Sequence, residues 1–586
     1  MLLATALILS FTLSVVPMTV SVKGAEDLSL DLWYMPVERP YFPDAKSVAE
    51  IMEADLEAIG VDIKLVTYEW GEYLDRTEDG EHDMALLGWS ADIGDPDNFL
   101  YVLLSGDSAV EGSAMNIAFY DNDAVDEKLL DAQKTFDQDE RDTLYKDACY
   151  LIHKDAPWVS VAHSENLAGY SKDVTGFVTH PTGPGANVYE GVSVTGSETL
   201  VIARGGDAVT LDPAEWTDGQ SWKVGRQIYD GLYNMPADSI EPEPALATGY
   251  TVSDDGLEWT FTLRDGVKFH DGSAFDADAV VFNFERAANW NNETSPYYTN
   301  GWIPPEAGYY DYIYGGLDLE VEALSATSVK FTMAIPYAPF LASLAMGVFA
   351  FVSPTYVKAH TGTQSADRIG LNPVGTGPYM MKEWVVDQTI TLEANPDYWG
   401  TAPKTNEIVF KVITEGASRM NELTAGDVHI VDNLAATDVA TVEGDADLSL
   451  SSQAGMNVGY LAMNALKAPF NDETKVDDPD YEGEETTKAT LVRRAFNHAI
   501  NKSKIIEQVF QGRAVQAKNP LPPNFWGYND TITDFTYDPD KARELLELAG
   551  FNTTGGGSAG PDLFVTMIGV LGSFSALMVV NKKRRR

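Results

Sequence analysis

The sequence predicts an α/β protein of two or more domains, on three observations. Its 586 residues exceed what one hydrophobic core organises. Residues 28–90 alternate strand, helix, strand and strand with sharp boundaries, and the alternation resumes at Thr199. Two extended stretches, 156–164 and 455–464, stand between the α/β segments as crossings.

The charge balance narrows the class of partner. Against 89 acidic residues stand 40 basic ones, a formal net charge of -49. Such an excess argues against nucleic acid and favours solubility in a salty or cation-rich exterior. The single cysteine, Cys149, permits no intramolecular disulfide and no thiolate cluster, and its helical surroundings read as packing. No metal and no cofactor is expected.

Both ends address a membrane. Residues 1–25 read as a secretory signal peptide or an N-terminal anchor, uncharged up to Lys23, with Gly24 and Ala25 as small residues for cleavage. Leu563 to Val580 is an uncharged run of 18 residues, long enough to span a bilayer, followed by KKRRR. Those basic residues belong on the cytoplasmic side, which places the body of the protein outside.

Taken in order, LSLDLWYMP is a strand, and Pro43 and Asp44 open a helix with Val48, Ile51, Met52, Leu56 and Ile59 on one face, ended by Gly60. VDIKLVTY is a second strand, and WGEYLDRTEDGEHD returns to a third, MALLGW. In such βαβ grammar ligands gather past the carboxyl ends of strands, where Arg39 and the loop SADIGDPDN lie. Residues 122–155 are helical, and TGSE is a polar joint before the strand TLVIARGGD. A hairpin then leads to a helix from Ala277, and residues 289–316 form an aromatic, Gly-rich insertion carrying the glycosylation pattern Asn292-Glu-Thr. Strands alternate with a helix at 418–425 between 404 and 450, and Asp472 to Glu485 is a solvated acidic loop. The last helix has Asp538 as cap, Pro539 at its first position and Gly550 at its end.

Several stretches together resemble the extracytoplasmic solute-binding proteins of peptide-type ABC importers, the dipeptide- and oligopeptide-binding family 5. ALATGYTVSDDGLEWTFTLRDGVKFHDGSAFDADAVVF looks like the family signature, and VGTGP, GMNVGYLAMN, YDPDKARELLELAGF, MPVERPY and GDPDNF look like family segments. The resemblance covers residues 28–551 but reverses the family's order, in which the part like 198–551 comes first. The chain therefore looks circularly permuted, its ancestral ends joined through TGSE.

The resemblance implies an α/β, two-lobed periplasmic-binding-protein (Venus-flytrap) fold with an enlarged first lobe, plus a C-terminal transmembrane helix. Lobe two is then 26–162 with 457–551; lobe one is 163–193 with 194–456; 552–562 is a tether, 563–580 the span and 581–586 a cytoplasmic tail. Hinge residues are Val161, Ala162, His163, Met456, Asn457 and Val458. Isolated His163 and His498 read as structural.

In dipeptide-binding members an acidic residue of GW-x-x-D takes the ligand ammonium and the arginine of MP-x-x-RP takes its carboxylate. The matching positions are Asp92 and Arg39. Burying either ligand charge without a partner costs several kcal/mol. The alternative readings are a surface ion pair with nearby Glu38 or an acidic loop for Arg39 and a turn-capping carboxylate for Asp92, the role assigned to Asp95 and Asp97. Trp89, Ser90 and Tyr34 are expected at the ligand from lobe two. Thr217, Asp218 and Gly219, with Gly375, Thr376 and Gly377, are expected from lobe one, although GTGP also reads as a tight turn.

The implied function is peptide capture by lobe closure and delivery to an ABC permease and ATPase, by a monomeric ectodomain on the extracellular face. A ligand-binding sensor, or an importer component for oligopeptide, nickel, haem or sugar, is the alternative. An enzyme is not expected, since H-E-x-x-H does not occur and neither sole-cysteine chemistry nor a paired general base is evident.

Overall fold

The computed structural model describes residues 25–216, 218–289, 309–360 and 369–553. The leader up to residue 24, Thr217, Asn292 and everything from 554 on, including the expected span and basic tail, lie outside the described residues. Among those described, no helix is long and apolar enough to cross a membrane.

The opening βαβ unit forms because its apolar residues fall at the spacings each element buries. Strand Leu28–Trp33 buries Leu28, Leu30 and Leu32, helix Ala45–Glu57 buries Val48, Ile51, Met52 and Leu56, and strand Val61–Val66 runs parallel to the first from Leu28 opposite Val61. Asp44 caps the helix, its Oδ1 accepting from the Ser47 N–H at 3.0 Å. Strand Met84–Ser90 joins on the other side, also parallel.

A 12-stranded sheet runs through the described residues. Ten of its strands follow in the order Tyr379–Val385, Thr389–Ala394, Glu407–Val412, Thr199–Arg204, Ile430–Val431, Trp158–Ser171, Asn457–Met463, Met84–Ser90, Leu28–Trp33 and Val61–Val66, and the other two, Leu448–Ala454 and Ala514–Gln516, pair with Trp158–Ser171. Trp158–Ser171 is the common member: its first residues pair with Asn457–Met463, and its last pair with Leu448–Ala454. The first crossing is thus longer than the sequence suggests, because it takes ladder partners from both lobes. A separate antiparallel sheet, Ala247–Val252, Glu258–Leu263, Ser328–Thr332 and Glu320–Ser325, belongs to lobe one.

Away from the crossings, the end of helix Asp123–Lys134 and the residue pair Thr135–Phe136 touch the segments around Ala338 and Trp259. The Ala338 N–H donates to the Gln133 carbonyl at 2.7 Å, and Phe136 lies against Trp259 with ring centroids 5.7 Å apart.

Three local expectations change. The segment after Tyr68 is a helix, Trp70–Glu78, capped by Glu69 through the Gly71 N–H at 3.1 Å. The helical stretch 122–155 is two helices, Asp123–Lys134 and Gln138–Asp155, because Asp137 starts a new one by accepting from Asp139 and Glu140 N–H groups. The acidic loop is not wholly solvated, since Asp478 is buried against Arg494 at 2.9 and 3.1 Å.

Residues 25–28 and 550–553 lie side by side. The Glu26 N–H donates to the Gly550 carbonyl at 3.1 Å, and the Asn552 N–H donates to the Glu26 carbonyl at 2.8 Å. Gly60 has φ +91°, and a Cβ there would come within 2.8 Å of the Thr553 backbone, so only glycine admits this approach. At the joint, the Ser197 N–H donates to the Val194 carbonyl at 3.2 Å, and strand Thr199–Arg204 begins two residues later.

Candidate functional site

Arg39 and Asp92 follow the carboxyl ends of adjacent parallel strands, Leu28–Trp33 and Met84–Ser90. The Arg39 loop is closed by reciprocal backbone bonds between Arg39 and Phe42 at 3.1 and 3.0 Å. The Ser164 hydroxyl, on the first crossing, donates to the Pro40 carbonyl at 2.8 Å. The guanidinium lies over the Trp70 ring, 4.8 Å from its centroid. Its Nη1 donates to the Glu38 backbone carbonyl at 3.3 Å, and no carboxylate lies within ion-pair distance among the described residues. The Glu38 ion pair therefore does not form.

Asp92 is held by its neighbours while its charge is left without a cation. The Ala91 N–H donates to the Met456 carbonyl at 2.8 Å, joining this loop to the second crossing. Asn98 organises the loop: its Oδ1 accepts from the Asp92 N–H at 2.9 Å and from the Trp89 indole at 3.1 Å. Its Nδ2 donates to Asp92 Oδ2 at 3.4 Å. Burial pushes the Asp92 carboxyl up to about 7, and the Asn98 hydrogen bond only partly opposes that. A desolvated carboxylate of this kind gains most from an incoming ammonium.

The other carboxylates of the loop differ. Asp95 receives a bidentate pair from Arg141 at 2.8 and 2.9 Å, and also caps Asp97 N–H at 3.1 Å. Asp97 accepts from Gln133 at 2.9 Å and is pushed up to about 7 by burial, then by Asp95. Turn capping alone therefore understates both. The Trp526 indole braces the loop by donating to the Gly94 carbonyl at 3.0 Å.

Of the remaining lobe-two candidates, Trp89 spends its indole N–H on Asn98, which fixes the ring. Ser90 pairs with Asn457 in the sheet, and Tyr34, partly buried, donates its N–H to Val66 at 2.9 Å. The remaining candidates are tied into local structure. Asp218 is the cap of helix Gly219–Ile228, its Oδ1 accepting from Gln220 and Ser221 N–H groups at 2.9 Å. Gly219 is the exposed first residue of that helix. Gly375, Thr376 and Gly377 are buried: a Cβ on Gly375 would meet the Ile228 carbonyl at 2.2 Å, and the Thr376 hydroxyl donates to Asp230 at 3.0 Å. This turn is packed against Ile228 and Asp230, as the tight-turn reading expects.

At the crossings, Asn457 Oδ1 accepts from the Ser164 N–H at 3.0 Å, and Nδ1 of His163 bonds the Asn457 carbonyl at 2.7 Å. Burial lowers His163 to about 4, so the ring is neutral near pH 7 and Nδ1 is the donor. Val161, Ala162, Met456 and Val458 are buried beside them. Sequence reasoning missed Asn98, Arg141, Trp70 and Trp526. Arg141 had a signal: it continues the buried stripe Tyr145, Ala148, Cys149 and Ile152 one turn back along its helix.

The model of the bacterial extracellular solute-binding proteins, family 5 middle, matches residues 25–110 and 241–574. The chain belongs to this family. Among family relatives, the dipeptide-binding protein of Escherichia coli strain K12 is 34% identical over 365 residues, 60% of this chain and 64% of that protein. Heme-binding protein A of Haemophilus influenzae is 34% identical over 368 residues, 61% of this chain and 62% of that protein. The chain thus spans under two thirds of the length of these curated relatives. Among solved structures, the periplasmic binding protein DppA from Helicobacter pylori in complex with peptide STSA has a TM-score of 0.50 at 32% identity, covering 60% of this chain and 66% of that one. The dipeptide-binding protein from Pseudoalteromonas sp. SM9913 in complex with Met-Leu has 0.50 at 26%, covering 60% and 67%. The fold is accordingly the mixed α/β periplasmic-binding-protein fold.

Proposed function

We propose that this chain is the extracellular substrate-binding component of an ABC peptide importer, taking dipeptides or short peptides by lobe closure. The carrying observation is two unmet charges in loops that follow adjacent parallel strands: Asp92, desolvated, and Arg39, neither with an opposite charge at ion-pair distance among the described residues. A peptide's ammonium and carboxylate complete both, independently of its side chains. Each of their loops is bonded to a crossing, through Met456 and Ser164, so ligand contact and lobe rotation share a fulcrum. Relatives that bind dipeptides and a structure holding Met-Leu support the ligand class. Catalysis has no place in the proposal. In calorimetry, Arg39→Ala and Asp92→Ala each weaken dipeptide binding by about tenfold or more; unchanged affinity in both defeats the assignment. Native mass spectrometry of the purified protein identifies a retained ligand by mass.

The proposal includes circular permutation and a membrane tether. The pairing of residues 25–28 with 550–553, and the tight Val194–Ser197 turn, support it, as does a match to the dipeptide-binding relative that covers 60% of the chain. Residues 199–553 make up roughly that share. A gene rebuilt as 199–553 followed by 25–194 yields the same fold and peptide affinity; failure to fold argues against permutation. The tether is the run 563–580, cytoplasmic at its basic end, and truncation after Thr553 moves the protein from the membrane fraction to the medium. Retention in the membrane after truncation contradicts this anchor.

A further inference from the structure

We infer that lobe one carries a second ligand site, for a free α-amino acid, in the cavity between helix Gly219–Ile228 and the loop that follows it. The cavity has a volume of about 300 Å³, and Glu190, Arg226, Asp230, Asn234 and Trp399 are in its wall. All its lining residues belong to lobe one, and neither Arg39 nor Asp92 is among them.

The charges of this wall are unequally satisfied. Asp230 accepts from Thr376 at 3.0 Å, from the Trp399 indole at 2.9 Å and from Asn234 at 3.1 Å, so it is a finished structural carboxylate. Arg226 donates through Nη2 to the Met235 carbonyl at 2.7 Å, and its other N–H groups have no partner among the described residues. Burial lowers it to about 10, against the pull of Asp230 and Glu190. The Glu190 carboxylate likewise makes no hydrogen bond or ion pair among the described residues, and burial, then Asp230, raises it. Each of the two groups feels the other's charge, yet they stop short of a direct pair.

A cation and an anion held apart in one cavity match a ligand that is both. A simple anion would leave Glu190 bare, and a simple amine would leave Arg226 bare; either omission leaves a desolvated charge unpaired. A free amino acid supplies both ends on one carbon. Met235 and Met346 give the wall an apolar side for a short aliphatic chain.

The test uses the full chain carrying Arg39→Ala and Asp92→Asn, which disables the peptide site proposed above and keeps the two ideas separable. Titrated with glycine, L-alanine and L-leucine, this background binds at least one of them, and acetate and methylamine bind about tenfold more weakly or not at all. Adding Glu190→Gln or Arg226→Lys weakens amino-acid binding by about tenfold or more with the melting temperature retained. Should Arg226→Lys fail to fold, Glu190→Gln decides, since its carboxylate holds nothing in the structure. Absence of amino-acid binding in the background, or equal affinity in the Glu190→Gln chain, overturns the site.

Discussion

The loop 91–98 of lobe two and the turn 374–378 of lobe one look alike in sequence, each short and carrying glycine, a polar residue and proline. The structure separates them by where their polar groups are spent. In the turn, the Thr376 hydroxyl is used on Asp230, and the Gly377 N–H donates to the Ile228 carbonyl at 2.8 Å. In the loop, backbone and side chains are equally well tied, through Asn98, Arg141 and Trp526, but Asp92 and Asp97 are left without a cation among the described residues. Within this one frame the carboxylates differ: Asp95 has its arginine, whereas Asp92 and Asp97 have no cation at ion-pair distance among the described residues.

The largest effect is expected from removing the arginine. Arg141→Met leaves Asp95 buried and unpaired, which costs about 3–5 kcal/mol of stability in urea unfolding. Restoring neutrality with Asp95→Asn recovers much of that loss, because the fault lies in the stranded charge. A loss under about 1 kcal/mol would show that water reaches Asp95, and the contrast with Asp92 would dissolve. Next comes the turn itself. Thr376→Val strips one hydrogen bond from the buried Asp230 and costs about 1–3 kcal/mol, with peptide affinity within about twofold of the parent. A collapse of affinity without loss of stability would return the turn to the ligand.

How much of this was legible beforehand follows the range of the interactions. The βαβ unit, both crossings and the capped final helix rest on local periodicity and on Asp44, Asp538 and Gly550, which are local signals. Arg39 and Asp92 were legible through resemblance, and strand order puts their loops after adjacent parallel strands. The brace on Asp95 was not, since Arg141 is 46 residues away and a buried guanidinium reads in sequence as a surface one. The role of Thr376 depends on Asp230, 146 residues distant, and no pattern within the turn points there. The second helix at 70–78 was lost for another reason: its apolar face is short, only Tyr73 and Thr77 being buried.

The finest discrimination comes from pH. The Asp92 carboxyl in the folded chain stands near 7, above the ordinary carboxyl value of about 4, so the fold favours its neutral form. The stability contributed by this group is therefore complete below about pH 4 and is lost as pH rises through 7. Asp97 behaves in the same direction, and it remains in an Asp92→Asn chain. Peptide binding runs the opposite way, because the ammonium selects ionised Asp92. Affinity should rise from pH 5 to 7 by up to about tenfold per unit and level off above 7. At pH 6 close to one proton should be released on binding, read from calorimetric enthalpies in buffers of different ionisation heat. In Asp92→Asn the affinity should be weaker, its pH slope nearly flat, and the unfolding free energy at pH 8 equal to the parent's or slightly higher. A parent chain whose affinity is flat from pH 5 to 7 would mean that Asp92 is already ionised before ligand arrives. The leftover charge would then be met by solvent, and the loop would differ from the turn only in exposure.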